Sequence, residues 1–372
     1  MKRLLCILSG MNAGGAETFL MKMYRSIDHS NYQMDFCINT NNECFYEDEI
    51  KTFGGKIYRI SAKSQSIKLF KNGLSDCIKS GNYKYVLRIT SSAMGFMDLK
   101  IAKKAGAKIC SARSSNSNDG KSIKAKAAHV LGRLLYRKYA DVKIAPSDLA
   151  AKYTFGKKAY RRSEVHILHN ALDLNVYSFD EQTRNHIRKE FSIDDNVKII
   201  GHVGRFSKQK NHTFLLDIFS EIHKKNPDTV LMLVGKGELE DKIKEKIKAL
   251  NLEGSVIFTG VRSDIPALLS AMDVFVFPSF YEGMPNTVIE AQATGLPCLI
   301  ADTITKEANV TGLVRYMPLK VPEEWAKEAL NMISDTRMQT KKIMIENGYD
   351  IESVSKEFVR LVFGASEEIT EN

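Results

Sequence analysis

"VKIIGHVGRFSKQKNHTFLLDIFSEIHKKNPDTVLMLVG", residues 197–235, decides the fold. Two apolar, β-branched runs, VKIIGHVG (197–204) and TVLMLVG (229–235), flank an amphipathic stretch, HTFLLDIFSEIHKK. Strands joined through a helix make a β-α-β unit, whose strands lie parallel and are buried on both faces. The same alternation fills the chain. In the first half the runs are RLLCILS (3–9), MDFCIN (34–39), KIYRI (56–60), YVLRIT (85–90), KICSAR (108–113), VKIAPS (142–147) and VHILHN (165–170). VIFTG (256–260), VFVFPS (274–279) and PCLIAD (297–302) complete the second half. Twelve strands are too many for one sheet of usual size. A length of 372 residues likewise exceeds one ordinary core. The expectation is an α/β chain of two doubly wound, Rossmann-like parallel-sheet domains. Their boundary falls near LHNALDLNVYSFD (168–180), giving domains of about 1–170 and 171–348.

Composition narrows the class. Hydrophobic residues make up 44% and charged residues 26%, as in ordinary soluble globular proteins. No apolar run approaches the roughly 20 residues of a membrane-spanning helix. The apolar run in MKRLLCILSG is too short for a signal-peptide core and reads as the first strand. The six cysteines form no C-x-x-C pair, and four lie in strands, which fits a reducing, cytoplasmic setting. The net charge of +10 points to an anionic partner. Basic residues crowd Lys100–Lys143, where a solvated lysine-rich surface and a functional patch are both open readings.

Ligands of doubly wound sheets bind outside the carboxyl ends of the strands. The loops that follow strands and open helices therefore carry the site, and with two domains the crevice between them is its expected place. FYEGMPNTVIEAQATG (280–295) is such a loop. Pro285 and Asn286 read as a helix entry, and the first-turn amides of Asn286, Thr287 and Val288 would face an anion such as a diphosphate. Glu290, one turn in, can accept two vicinal hydroxyls, as on a ribose. Glu282, before the helix, would grip the hydroxyls of a moved group. A plain helix start with a dipole-stabilising glutamate fits the same spacing. In VGRFSKQKNH (203–212), Arg205, Lys208 and Lys210 suit a phosphate, and Gly204 allows close backbone approach. A solvated basic turn is the alternative. GMNAGGAE (10–17), with Gly14 and Gly15, and VGKGE (234–238) are weaker signals of the same kind. Neither is G-x-G-x-x-G or a P-loop.

The sequence has no H-E-x-x-H, G-x-S-x-G, D-x-D or metal-spaced Cys/His cluster. The acidic knot Glu47-Asp48-Glu49 reads as solvated on a surface helix. A leaving diphosphate would then be stabilised by fixed cations and helix amides, with no metal ion.

Together these pieces resemble the retaining glycosyltransferases of family 4 (group 1), with the GT-B fold of two facing Rossmann-like domains. GGAE (14–17) looks like the family's glycine loop, VGRFSKQKNH like its Arg/Lys phosphate loop, and EGMPNTVIEAQATGLP like its E-x7-E element. DTITKEANVTG and EEWA (323–326) look like the capsular and exopolysaccharide subgroup. The resemblance implies an acceptor domain first and a nucleotide-sugar donor domain second, with a C-terminal helix at about 349–364 crossing back to the first. It implies that Arg205 and Lys210 neutralise the diphosphate. Glu290 would hold the ribose and Glu282 the donor sugar. Gly14, Gly15, Gly204, Asn211, Gly283, Met284, Pro285, Asn286, Thr287 and Val288 would line the donor, and Gly235, Gly237 and Arg262 its base. The donor would be a nucleotide-diphosphate-sugar, a UDP-sugar by preference, carrying a hexose or N-acetylhexosamine. The acceptor would be a glycan or a polyprenyl-diphosphate-linked sugar. No cofactor and no metal are implied.

Two departures stand out. Where many relatives carry HSHN, this chain has RSSN (113–116), so Arg113 takes the place of a histidine that faces the transferred sugar. Arginine cannot act as a general base near neutral pH. That fits a front-face reaction in which the leaving phosphate takes the acceptor's proton; a structural ion pair is the other reading of Arg113. At the domain junction Asn170-Ala171-Leu172-Asp173 replaces the usual Asn-Gly-Ile-Asp.

KSIKAKAAHVLGRLLYRKYA (121–140) reads as an amphipathic helix, either lying on an anionic membrane near the cell's inner face or packed in a core with solvated lysines. Histidines 166, 169, 202 and 212 read as structural, with His202 and His212 behind the phosphate loop. A non-hydrolysing nucleotide-sugar epimerase shares the architecture but needs acid/base carboxylates and histidines that have no evident place here. A basic nucleic-acid- or membrane-binding protein is the reading from another class. It leaves the paired glutamates unexplained, and without aromatic stacking clusters interleaved with the basic residues no nucleic-acid partner is expected.

Overall fold

The computed structural model describes residues 1–12, 14–115 and 123–364. Ala13 of the glycine loop, Asn116 of RSSN, Asp119, and Lys121 and Ser122 of the basic helix lie outside the described residues. The chain forms two compact units, Met1–Ala171 with the segment from Gly348 onward, and Leu172–Asn347.

The first unit holds a seven-stranded sheet of β1 (Lys2–Ile7), β2 (Tyr32–Ile38), β3 (Ile57–Arg59), β4 (Tyr85–Thr90), β5 (Ile109–Ser114), β6 (Val142–Ala145) and β7 (His166–Ile167). Their order is β3-β2-β1-β4-β5-β6-β7, and every described pairing is parallel. In β1, Leu4 and Cys6 enter the core on one face of the sheet while Leu5 and Ile7 enter that on the other. That two-sided burial is why the strand reads as an unbroken apolar run. The helix Ile351–Phe363 belongs to this unit. Asp350 caps it by accepting from the Ser353 amide, and Val354, Phe358 and Val362 bury in the core, the helix lying against β1, β4 and β5.

The second unit holds β8 (Lys198–Val203), β9 (Thr229–Val234), β10 (Val256–Gly260), β11 (Val274–Phe277), β12 (Cys298–Ala301) and β13 (Val314–Met317), in the order β10-β9-β8-β11-β12-β13. These pairings too are parallel. In both sheets the order reverses beside the first strand of the unit, which sets a topological switch point at the carboxyl ends of β1 and β4 and of β8 and β11.

Several elements differ from the sequence reading. β13 was not foreseen, and β7 shrinks to two residues of the six expected. Glu47 is not solvated. It is 4% exposed, accepts from the Cys44 amide and pairs with Arg59. The basic helix Ile123–Tyr136 does not put its apolar face into a core. Only His129 and Gly132 of it are buried, while Ile123, Val130, Leu131, Leu134 and Leu135 are exposed. The helix docks by its small face, since a Cβ on Gly132 would meet the Met94 nitrogen at 2.6 Å. All six cysteines are buried with free thiols.

Candidate functional site

Two loops at the carboxyl edge of the second sheet come together. The loop after β8 carries Arg205, Lys208 and Lys210, and the loop after β11 carries Glu282. Gln209 ties them: its side chain donates to the Tyr281 carbonyl at 2.8 Å, and its own carbonyl accepts from the Phe280 amide at 2.9 Å. With the loops joined, Lys210 Nζ meets Glu282 Oε1 at 2.8 Å, both side chains mostly shielded from solvent. Lys210 Nζ also lies 4.5 Å from the centre of the Phe277 ring, which favours the cation there. Arg205 stays open, 75% exposed, with Glu238 at 3.2 Å.

Glycine shapes this corner. A Cβ on Gly204 would stand 3.3 Å from Lys210 Cε, so the bare backbone leaves the path by which Lys210 reaches Glu282. Gly235, at φ +135, would carry a Cβ 2.3 Å from the Gly204 oxygen, and Gly237 one 2.4 Å from the Phe206 oxygen. These two glycines thus let the loop after β9 lie against the loop after β8, where the Phe206 amide donates to Lys236 O at 3.0 Å. Asn211 takes the left-handed conformation, φ 55 and ψ 45, as the last residue before the helix His212–Lys225.

The helix Asn286–Ala293 starts directly behind Glu282. Pro285 precedes it without any side-chain cap, and no acid occupies its first turn, so its positive end is not neutralised from within. Gly283 and Met284 are half-buried and Pro285 buried on the approach. Of the three amides expected to face a phosphate, that of Val288 is already held by the Pro285 carbonyl at 3.0 Å. Glu290, one turn in, meets the hydroxyl of Tyr177. Burial, then that carboxylate, push the Tyr177 phenol well above its ordinary range. Sequence reasoning missed both Tyr177 and Gln209. It also missed Gln292, fully buried in the same helix, which donates to Ala308 O at 2.7 Å and accepts from Thr311 N at 3.1 Å. Gln292 thereby fixes the loop after β12 against the helix.

Arg262 carries two acids. Its guanidinium bonds Asp264 at 2.7 Å and Glu190 at 2.7 Å, and these partners, Asp264 foremost, raise its pKa. His202 and His212 lie behind Lys210, 0% and 2% exposed, with ring centres 4.7 Å apart. Burial, with Lys210 nearby, lowers His212 to about 4 and holds His202 well below the imidazole range.

In the first unit Gly14 precedes the helix Gly15–Ser26, and a Cβ there would meet Glu17 Oε2 at 2.4 Å. The Glu17 carboxylate, its pKa raised by burial, thus sits over the start of its own helix. Arg113 ends β5 at 1% exposure, donating to Asn170 Oδ1 at 2.7 Å and lying 3.5 Å from the Phe19 ring centre. It forms no ion pair among the described residues, so the structural ion-pair reading of Arg113 finds no partner. Burial brings it down to about 9, so it stays a cation at neutral pH. His169 Nδ1 donates to Pro146 O at 2.9 Å and its ring stacks on Tyr349, while His166 lies exposed in β7. Among the described residues no group of three or more His, Cys, Asp or Glu could hold a metal ion, and no helix is long and apolar enough to cross a membrane.

Two parallel-sheet α/β units of this kind are the domains of the GT-B glycosyltransferase fold. The crystal structure of Anabaena HepE in complex with UDP matches 98% of this chain and 100% of that one, with a TM-score of 0.76 at 17% identity. Residues 183–350 match the family model for glycosyl transferases group 1. EpsF of Bacillus subtilis (strain 168), named as a glycosyltransferase, is 34% identical over 358 residues, 94% of this chain and 93% of that protein. The chain belongs to the group 1 glycosyl transferases. A shorter match, 34% identical over 142 residues and 37% of each chain, is to the UDP-Gal:alpha-D-GlcNAc-diphosphoundecaprenol alpha-1,3-galactosyltransferase of Escherichia coli.

Proposed function

We propose that the chain is a retaining, family 4 glycosyltransferase that moves a hexose or N-acetylhexosamine from a nucleotide-diphosphate-sugar to a glycan or polyprenyl-diphosphate-linked acceptor. The observation that carries this is the gathering of Lys210, Glu282 and Glu290 about the uncapped start of the helix Asn286–Ala293. In this reading the second unit binds the donor. Lys210 and Arg205 take the diphosphate together with the Asn286 and Thr287 amides, Glu290 takes the ribose, and Glu282 takes the sugar. Fixed cations and a helix N-terminus stabilise the leaving diphosphate, so the reaction needs no metal. The leaving phosphate accepts the acceptor's proton on the face it departs from. The UDP bound by HepE supports a UDP-sugar donor, and the undecaprenol-linked substrate in the name of the E. coli relative supports a lipid-linked acceptor. The resemblance to the capsular and exopolysaccharide subgroup supports a role in cell-surface glycan synthesis.

A lipid-linked acceptor requires the enzyme at a cytoplasmic membrane face, and the helix Ile123–Tyr136 supports that placement. Ile123, Ala127, Val130 and Leu134 recur along one stripe, turned away from the buried His129 and Gly132, with exposed Lys124 and Lys126 beside it. Such a face suits an anionic lipid surface.

The test is a thermal-shift screen against UDP-, GDP- and ADP-sugars, followed by transfer assays with the selected donor. Glu290→Ala weakens nucleotide binding, Glu282→Ala chiefly lowers turnover, and EDTA changes neither. Normal transfer by both variants would remove the site, and loss of activity in EDTA would remove the metal-free mechanism.

A further inference from the structure

Among the described residues two cations are almost fully buried, Arg188 and Arg113, and others half-buried have acids or carbonyls beside them. Arg188, 1% exposed, has Asp273 at 3.6 Å and donates to the Asp194 carbonyl. Arg88 and Lys63 share Asp98, which is fully buried, at 2.8 and 2.5 Å. Arg337 donates to the carbonyls of Thr294, Leu269, Ser270 and Met272. Arg113 is as buried as Arg188, yet among the described residues Asn170 alone accepts from it and its Nε has no partner. An unpaired charge out of water costs several kcal/mol unless something compensates it. The Phe19 face offsets a small part of that. Arg113 also stands near the carboxyl end of β5, in register with Ile89 of β4 and Ile144 of β6, the edge of the sheet where ligands of such sheets bind.

We propose that Arg113, aimed by Asn170 and backed by Phe19, is the binding site for an oxyanion of a ligand held by the first unit. Resting on the glycosyltransferase reading, that group is the carboxylate of an acidic sugar or a phosphate of the acceptor. Guanidinium bonds either group through paired N–H donors. A lysine or a neutral side chain at 113 gives no such fork.

The experiment uses the full chain saturated with UDP, so that the donor site is filled, and titrates inorganic pyrophosphate, glucuronate and glucose by calorimetry. Wild type binds one of the two anions about tenfold or more tighter than glucose, the worth of one charge-assisted hydrogen bond. Arg113→Met loses that preference and Arg113→Lys keeps only part of it. Preference for pyrophosphate assigns a phosphate, and preference for glucuronate a carboxylate. Thermal midpoints without ligand provide a second readout: Arg113→Met unfolds at the same or a higher temperature, because an apolar side chain replaces an unpaired buried charge. The proposal is overturned if wild type prefers neither anion, or if Arg113→Met retains the preference. UDP titrated alone reports on the second unit, so failure of the donor reading and failure of the Arg113 site are seen separately.

Discussion

Lys210→Met probes how the second unit would hold a diphosphate. The lysine meets Glu282 at 2.8 Å, and the two side chains are 18% and 10% exposed, so solvent screens the pair only in part. A hydrogen bond to a charged group contributes about 1.5–3 kcal/mol. Removing the cation leaves a shielded carboxylate without its partner, so the second unit loses about that much stability. At about 2–4 °C per kcal/mol for a unit of this size, its thermal midpoint falls by roughly 3–12 °C. Glu282→Gln in the same background recovers part of the loss, with a coupling of about 1 kcal/mol or more in the double-mutant cycle. Nucleotide binding separates the two residues further. Calorimetry with UDP, well below the midpoint, shows Lys210→Met about tenfold or more weaker, since 1.4 kcal/mol is a factor of ten. Glu282→Gln removes a negative charge and releases Lys210, so UDP binds as well as before or better while turnover falls. If Lys210→Met binds UDP like wild type, the lysine does not serve a phosphate and the reasoning fails.

Tyr177→Phe removes the hydroxyl that meets Glu290 while keeping the half-buried ring. UDP affinity drops about three- to tenfold and the thermal midpoint falls by a few degrees at most, whereas a uridine-independent ligand such as pyrophosphate is unaffected. The pH dependence of stability follows from His212, whose pKa falls from 6.5 to about 4 on folding. A lowered folded pKa means that the unfolded chain binds more protons between those values. The stabilising contribution is therefore complete above pH 6.5 and is lost as pH falls toward 4, by about 3 kcal/mol. Urea titrations across that window show a shallower acid slope in His212→Phe than in wild type; identical slopes would mean that His212 is not buried as described.

The fold was legible because apolar runs and helical patterns alternate with little interruption, and strands buried on both faces announce themselves. β13 escaped because Val314–Met317 is a four-residue edge strand with Arg315 exposed, so its burial never forms a continuous apolar run. The loops of the site were legible for a local reason: Arg205, Lys210, Glu282 and Glu290 each lie within a strand-loop-helix passage that the chain spells out in order. Their supports were not. Gln209 reaches a carbonyl 72 residues away, and Tyr177 meets an acid of a distant helix. Nothing in the flanking sequence marks either residue. Glu47 misled for the same reason. Three acids in a row look solvated until Arg59 and the Cys44 amide are brought to the first of them. The exposed apolar stripe of the helix Ile123–Tyr136 was visible as a period, but only its packing through Gly132 reveals which face turns outward.

The most direct measurement is a crystal structure of the chain with UDP, or with whichever nucleoside diphosphate the thermal screen selects. The diphosphate is expected against Lys210, Arg205 and the Thr287 amide, with both ribose hydroxyls on Glu290. A nucleotide bound elsewhere, or one whose phosphates lie away from Lys210, would contradict that.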